Sequence, residues 1–139
     1  MEIPVKLSIS GKQTYQDEQP EEIEFITDGI LEKAEDGWRI SYEETELTGL
    51  LGVKTSLFVQ PGEITLSRTG KLNSQMVFQE GVVHDSLYQM EFGALMMSVM
   101  ASKIYYDISE SGGVIDLVYA IEIENTSAGV IEYHLEIKA

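Results

Sequence analysis

Residues 115–137 read IDLVYAIEIENTSAGVIEYHLEI, which contains two runs with an apolar residue at every second position, separated by a polar segment. The apolar positions are Ile115, Leu117, Tyr119, Ile121 and Ile123 in the first run, and Ile131, Tyr133, Leu135 and Ile137 in the second. Successive side chains of a β-strand point to opposite faces, so this period of two predicts two strands, each buried on one face. The segment between them, Asn125 to Gly129, is rich in residues that favour turns.

The same alternation recurs along the rest of the chain. Its apolar runs include Ile3 to Ile9, Ile23 and Phe25, Trp38 to Tyr42, and Val53 to Val59. The turn formers between runs are Gly11, Asp36-Gly37, Gly49 to Gly52, Pro61-Gly62, Gly70, Gly81, Gly93 and Gly112-Gly113. Such short connections join antiparallel neighbours, because a parallel pair needs a crossover of about a dozen residues. We predict an all-β fold of about nine or ten strands, a single closed antiparallel meander barrel, in which closure removes the exposed edges.

The segment Ala94 to Ile104 also fits a helix. Leu95, Met96, Val99 and Met100 would share a helical face, and alanine, leucine and methionine favour helices. The apolar run nevertheless continues past Ile104 without a capping residue, and Gly93 is placed as a bend between two strands would be. We therefore predict a strand over 94–104.

Length and composition limit where the protein works. A chain of 139 residues fits one domain, 1–139, because a single core can bury about two-thirds of the unfolded surface at this size. No apolar run is long enough to span a membrane, and the first residues carry no export signal, so we expect a cytoplasmic protein. The chain has no cysteine, which suits a reducing compartment and excludes thiolate metal sites and a cysteine nucleophile.

The charge balance excludes two classes of partner. Twenty-four acidic residues against nine basic ones give a formal net charge of −15, and the basic residues are scattered singly along the chain. Binding to phosphate backbones or to anionic lipid surfaces requires a cluster of basic residues. We expect no nucleic acid and no membrane among the partners of this protein.

The sequence contains no recognised catalytic or metal-binding motif. His84 and His134 are its two histidines, and alternation places His134 on the outer face, so we predict no metal site and no cofactor. Neither a nucleophile elbow nor a phosphate-binding glycine loop is present. A non-enzymatic function is favoured. The enzymatic alternative rests on Glu44 acting together with Arg68, if the fold brings them into one cleft.

Arg68 is the residue that most suggests a binding site. Alternation along Ile64, Leu66 and Arg68 directs its guanidinium to the face that carries the core, where an unpaired cation is costly. One explanation is structural: an ion pair with an acid such as Glu44, or a side chain that reaches water at the strand end. The functional hypothesis is a ligand site that holds the polar or anionic head of a small apolar or amphipathic molecule. Its members are Arg68, Tyr42, Glu44, Tyr119 and Tyr133.

A leucine-rich connection offers an alternative function. Leu47, Leu50 and Leu51 lie in one loop, which also contains Gly49 and Gly52. Apolar loop residues usually pack against another surface. The loop could act as a lid over the barrel mouth or as an interface with a second copy of the chain. The alternative to a ligand-binding barrel is therefore a filled barrel with a structural or regulatory role, acting through protein contacts, as a homodimer for example.

Several short motifs resemble one protein family. They are Ser41-Tyr42-Glu43-Glu44, the stretch Gly62 to Gly70, Phe78 with Gly81, the stretch Tyr88 to Gly93, and the closing strand after Gly112-Gly113. In this order they are similar to the YwiB-like bacterial proteins, and the resemblance covers nearly the whole chain. It implies a calycin-like, lipocalin-like barrel in a bacterial cytoplasm and supplies no substrate. The Gly-x-Trp motif of secreted lipocalins is absent, and Ile131 stands where the arginine of an Arg-x-Tyr carboxylate anchor would precede Tyr133.

Overall fold

The two alternating runs at the C-terminal end form an antiparallel hairpin. β9 (Gly112–Ile123) and β10 (Thr126–Lys138) pair in a register that sets Leu117 opposite Tyr133. Glu124 and Asn125 connect them with positive φ angles of 52° and 65°, as in the tight turns whose twist matches that of a β-hairpin. The period of two in the sequence thus corresponds to a real strand pair.

The computed structural model describes residues 2–14, 19–45, 51–90 and 93–139. The eight strands that precede β9 are β1 (Glu2–Thr14), β2 (Glu21–Ala34), β3 (Gly37–Glu43), β4 (Val53–Gln60), β5 (Glu63–Gly70), β6 (Ser74–Phe78), β7 (Val83–Met90) and β8 (Gly93–Ser109). Within these ranges no helix is long and apolar enough to cross a membrane. All the regular secondary structure of the described chain is β-strand, which confirms the predicted fold class.

The strands form an antiparallel meander that closes on itself except at one place. Neighbouring strands in the sheet are neighbours along the chain, and β10 returns to pair with β1. Between β6 and β7 the ladder is reduced to its two ends, where Asn73 bridges to Gln89 and Gln79 bridges to Val82. The fold is thus a nearly closed ten-stranded barrel, with the join between β6 and β7 as its seam.

The inward-facing side chains fill much of the barrel. Nine large ones are at most 1% exposed: Leu7, Leu31, Ile40, Leu57, Ile64, Phe78, Ile115, Leu117 and Leu135. Each such side chain contributes about 1.5–3 kcal/mol when it is withdrawn from water. These residues come from eight strands, so a single packed core joins most of the wall, and the barrel at this level is no open channel.

The prediction of a strand over 94–104 is confirmed, whereas the predicted end of the acidic loop before β2 is wrong. The segment 94–104 lies in β8, in which Met97, Val99 and Ala101 face inward and are buried, so the predicted strand is confirmed. The polar, acidic and proline-containing composition of residues 16–22 predicts a solvated loop there, whereas β2 begins at Glu21. Pairing with β1, where Lys12 lies opposite Glu22, extends this strand beyond its apolar part.

Candidate functional site

A cleft of about 460 Å³ opens near the end of the barrel at which β1, β3 and β5 finish. Its lining includes Tyr42, Glu44, Arg68, Tyr119 and Tyr133, the five residues that the sequence singles out as a ligand site. The barrel therefore brings together side chains from four strands and from the residue after β3. This size lies within the range of about 300–1,000 Å³ that is usual for small-molecule sites.

Strand register explains how these residues meet. Tyr42 on β3 lies opposite Thr55 on β4, and Thr55 lies opposite Arg68 on β5. Directly opposed residues on neighbouring strands point to the same face of a sheet. Tyr42, Thr55 and Arg68 therefore form a row across the inner wall, and the row continues to Ser74 on β6.

Glu44 is buried, with 4% of its surface exposed, at the start of the connection after β3. Its backbone N–H donates to the Val53 carbonyl at 2.8 Å, and its carboxylate accepts a hydrogen bond from the Thr55 hydroxyl at 2.8 Å. These bonds hold the carboxylate on the same wall as Tyr42. A buried carboxylate needs such partners, because it would otherwise be costly to remove from water.

The three tyrosines stay protonated at neutral pH. Burial raises the pKa of Tyr42 well above its ordinary value of 10.0, and the neighbouring Glu44 charge raises it further, while Arg68 lowers it. Burial also raises the pKa of Tyr119 to about 12 and that of Tyr133 well above 10.0, again with Arg68 acting in the opposite sense. Arg68 is thus close enough to interact with all three hydroxyls, although the Tyr42 hydroxyl is already engaged with the Glu44 carboxylate.

Two of the polar atoms in the cleft are buried without a hydrogen-bond partner in the described part of the chain. They are Nε of Arg68 and the hydroxyl of Tyr133. Part of the Tyr133 residue is exposed, but its hydroxyl oxygen is not. The Tyr42 and Tyr133 hydroxyls lie close enough to affect one another's pKa. The Tyr133 hydroxyl nevertheless makes no hydrogen bond of standard geometry within the described chain. Buried hydrogen-bond donors usually have an acceptor, so each of these two groups could donate to a bound ligand.

The rest of the cleft is apolar inside and polar at the rim. The Tyr119 ring packs on Phe78 with centroids 4.5 Å apart, and the Phe25 ring lies 6.4 Å from that of Tyr42. Ile9 and Ile131 complete the apolar wall, whereas the rim residues are Lys12, Gln13, Glu21 and Glu22. An interior of this kind matches a molecule with an apolar body and a polar head.

The leucine-rich connection can be placed only in part. Leu47 and Leu50 lie outside the described residues, as does Glu46, so the lid and interface hypotheses for this loop remain predictions. Leu51 is described and is 54% exposed. It is absent from the residues that line the cleft.

Thr55 and Phe25 are site residues that the sequence did not single out. Thr55 is fully buried in the middle of an inward-facing apolar series, between Val53 and Leu57. A hydroxyl at such a position needs a partner, which here is Glu44, and this was the available signal. Phe25 carried no signal beyond its alternation, since aromatic residues in strands more often belong to a core.

Both histidines have local partners away from the cleft. His134 faces outward, as its position opposite Tyr133 in the alternation predicts, and its ring contacts Asp116 at 2.5 Å and Glu136 at 3.2 Å. His84 contacts the Gln79 side chain at 2.6 Å. The described ranges contain no group of three or more histidine, aspartate or glutamate residues arranged to hold a metal ion.

The fold and the chain have known relatives. A family model described as "Domain of unknown function (DUF1934)" matches residues 7–137. The sequence is 29% identical over 123 residues to the uncharacterized beta-barrel protein YwiB of Bacillus subtilis (strain 168), an alignment that covers 88% of this chain and 84% of that protein. The crystal structure of the ywiB protein from Bacillus subtilis matches with a TM-score of 0.87 at 25% identity, and the match covers 99% of this chain and 92% of that one. The chain therefore belongs to the DUF1934 family of β-barrel proteins, whose function is unknown.

Proposed function

We propose that this barrel is a non-enzymatic binding protein that holds a small amphipathic molecule in the cleft at its mouth. The anionic head of the ligand contacts Arg68 and the tyrosine hydroxyls, and its apolar body lies against Phe25, Ile9 and Ile131. The observation that carries the proposal is the buried Nε of Arg68, which has no hydrogen-bond partner in the described chain and lies beside three protonated tyrosines. The absence of cysteine supports a cytoplasmic site of action.

The energetics favour an anionic head group. A hydrogen bond to a charged group contributes about 1.5–3 kcal/mol, roughly twice the contribution of a neutral one. The ion pairs found between described residues involve Lys6, Lys12 and His134, and none involves Arg68. A ligand carboxylate or phosphate would give Arg68 its missing acceptor and accept a second bond from Tyr133.

Catalysis has less support than binding. No histidine lines the cleft, and the raised pKa values keep its tyrosines in the protonated form, which is a poor nucleophile. Glu44 is the one buried carboxylate of the described cleft, and one of its oxygens already accepts a hydrogen bond from the Thr55 hydroxyl. The described side chains of the cleft are suited to holding a ligand, and among them no base is placed next to a nucleophile.

The chain provides a matched test, because Arg68 and Arg39 are its two arginines. Arg39 is exposed on the outer face, where its guanidinium lies 5.8 Å from the Phe58 ring centre. Decanoate and decan-1-ol, both below their aggregation limits, would be titrated by calorimetry into wild type, Arg68→Leu and Arg39→Leu. We expect wild type and Arg39→Leu to bind decanoate about tenfold more tightly than the alcohol, a difference of about 1.4 kcal/mol. Arg68→Leu should lose this preference.

Three outcomes would contradict the proposal at different points. Equal affinity for decanoate and decan-1-ol in wild type, or a preference for decanoate that persists in Arg68→Leu, would show that Arg68 does not bind the anionic head of the ligand. Failure of both probes to bind, together with no bound small molecule in native mass spectra of freshly purified protein, would reject the binding function. A stable dimer in sedimentation would then favour the alternative of a protein that acts through contacts with a second copy.

A further inference from the structure

The seam between β6 and β7 is a gap in the hydrogen-bonded wall of the barrel. Asn73 and Gln89 exchange two backbone hydrogen bonds of 3.0 and 2.8 Å at one end, and Val82 donates to the Gln79 carbonyl at 3.1 Å at the other. Backbone groups alternate in direction along a strand, so the residues that face the gap between these ends are Gln75 and Val77 on β6 and Asp85 and Leu87 on β7. No backbone bond joins these four across the described seam.

A notch of about 420 Å³ lies at this seam. Nine described residues line it, and Leu87 is the one apolar member among them; the others include Arg68, Ser74 and Ser86. None of the nine is acidic, although the whole chain has 24 acidic residues and a net charge of −15. On the side of the notch the Arg68 cation meets neutral donors among the described residues, which favours a negatively charged ligand there, whereas Glu44 lies with Arg68 in the cleft.

Three donors in this notch are buried without a hydrogen-bond partner in the described chain. They are Nε of Arg68, Oγ of Ser74 and Oγ of Ser86. Ser74 is only 8% exposed and lies directly opposite Arg68 on the neighbouring strand. Nε of Arg68 is the donor already assigned to the cleft ligand, so the two serine hydroxyls are the donors that belong to the notch alone. Leaving both unpaired is unfavourable, and one acceptor group with two oxygens would satisfy them.

We infer that the notch is a second binding site, which takes a small oxyanion such as a carboxylate or a phosphate group. The anion accepts hydrogen bonds from the Ser74 and Ser86 hydroxyls and from the Arg68 guanidinium. The notch is distinct from the cleft of the proposed function, because it opens through the side wall and shares none of the three tyrosines. Among the described lining residues, Arg68 is the one that both spaces share, and the occupants of the two spaces would influence each other through it.

The test is an anion titration of ¹⁵N-labelled protein. Sodium phosphate, and separately sodium acetate, would be added at constant ionic strength kept with sodium chloride. We expect the Ser74 and Ser86 amide signals and the Arg68 Nε–H signal to shift together and to saturate for at least one anion. Comparison of the two series distinguishes a phosphate ligand from a carboxylate. The double variant Ser74→Ala/Ser86→Ala should bind at least tenfold more weakly.

Two control variants separate this site from the cleft. Ser8→Ala changes an exposed hydroxyl on β1 and should leave anion affinity unchanged. Tyr133→Phe removes a cleft donor and should also leave it unchanged. The inference is overturned if neither anion gives saturable shifts, or if Tyr133→Phe abolishes binding while the double serine variant retains it. The double variant should still bind decanoate, so failure of this inference leaves the proposed function standing.

Discussion

Tyr42 and Tyr133 carry the same hydroxyl in two different surroundings. The Tyr42 hydroxyl interacts with the buried Glu44 carboxylate, whereas the Tyr133 hydroxyl is buried without a standard hydrogen bond in the described chain. Tyr42→Phe should therefore lower the free energy of unfolding by about 1–2 kcal/mol, because Glu44 loses a donor. Tyr133→Phe should change it by less than about 0.5 kcal/mol, because the hydroxyl contributes no paired bond to the empty protein.

Urea denaturation of the two variants measures this difference, and each serves as the control for the other. Both changes remove one oxygen from an inward-facing tyrosine, so the loss of volume is the same. If Tyr133→Phe destabilised the protein as much as Tyr42→Phe, its hydroxyl would have a structural partner, and one of the two donors assigned to the ligand would be lost. Weaker decanoate binding by Tyr133→Phe at unchanged stability is the result that the proposed site requires.

His134 makes stability depend on pH near neutrality. A hydrogen bond from the ring to Asp116 raises the pKa of His134 above its ordinary 6.5; burial opposes this shift, and Glu136 adds to it. A pKa that is higher in the folded state means stabilisation that is complete below 6.5 and is lost as pH rises through the folded value. We expect the free energy of unfolding to fall over that interval, modestly, because the side chain is 39% exposed.

Denaturation series at several pH values above and below 6.5 would measure the effect. His134→Gln keeps a polar side chain on the outer face and should flatten the decline, and Asp116→Asn should reduce it. An unchanged decline in His134→Gln would assign the pH dependence to another group. These surface variants should leave decanoate affinity unaffected, because His134 lies outside the cleft.

At the scale of the strands, most of the architecture follows from alternation. β9 and β10 could be predicted because every second residue of each is apolar and faces inward. β8 was harder, since Met96 and Met100 on its outer face are 42% and 39% exposed, and an apolar outer face imitates the periodicity of a helix. The end of the acidic loop was misplaced because cross-strand pairing, which the sequence does not display, extends β2 to Glu21.

The candidate site could be predicted only as a set of inward-facing residues. Alternation directs Arg68 and Tyr42 to the same face of the sheet, but their meeting depends on register, which sets both opposite Thr55. Register follows from turn lengths and from the pairing of whole strands. Whether the lumen would be filled or open was equally beyond the sequence, because it depends on how side chains such as Phe78 pack across the barrel.

As a whole molecule, the barrel combines a strong negative charge with two spaces that are lined by the same partly buried arginine, Arg68. The net charge of −15 should exclude nucleic acid and other polyanions by long-range repulsion. A small monovalent anion meets much less repulsion, and at physiological ionic strength the field of distant charges is screened beyond about 8 Å. Local donors around Arg68 then decide binding, so selection for small anions over large ones follows from the overall charge and the buried site together.

The seam between β6 and β7 is where the barrel should open first. Backbone ladders join every pair of neighbouring strands except β6 and β7, so local fluctuations should begin at the seam. Within β6, the backbone N–H of Val77 faces the gap and that of Met76 faces β5. Within β7, the backbone N–H of Leu87 faces the gap and that of Ser86 faces β8. Native-state hydrogen exchange should therefore be at least about tenfold faster for Val77 and Leu87 than for Met76 and Ser86.

This comparison is internally controlled, because each fast amide is measured against its neighbour in the same strand. Amides of Leu7 and Leu135, in the paired strands β1 and β10, should be among the slowest and should report global unfolding. Equal protection on both edges of β6 and β7 would show that hydrogen bonds seal the seam in solution. The notch would then have no opening for an anion, whereas the cleft at the mouth would be unaffected, since its access does not pass through this seam.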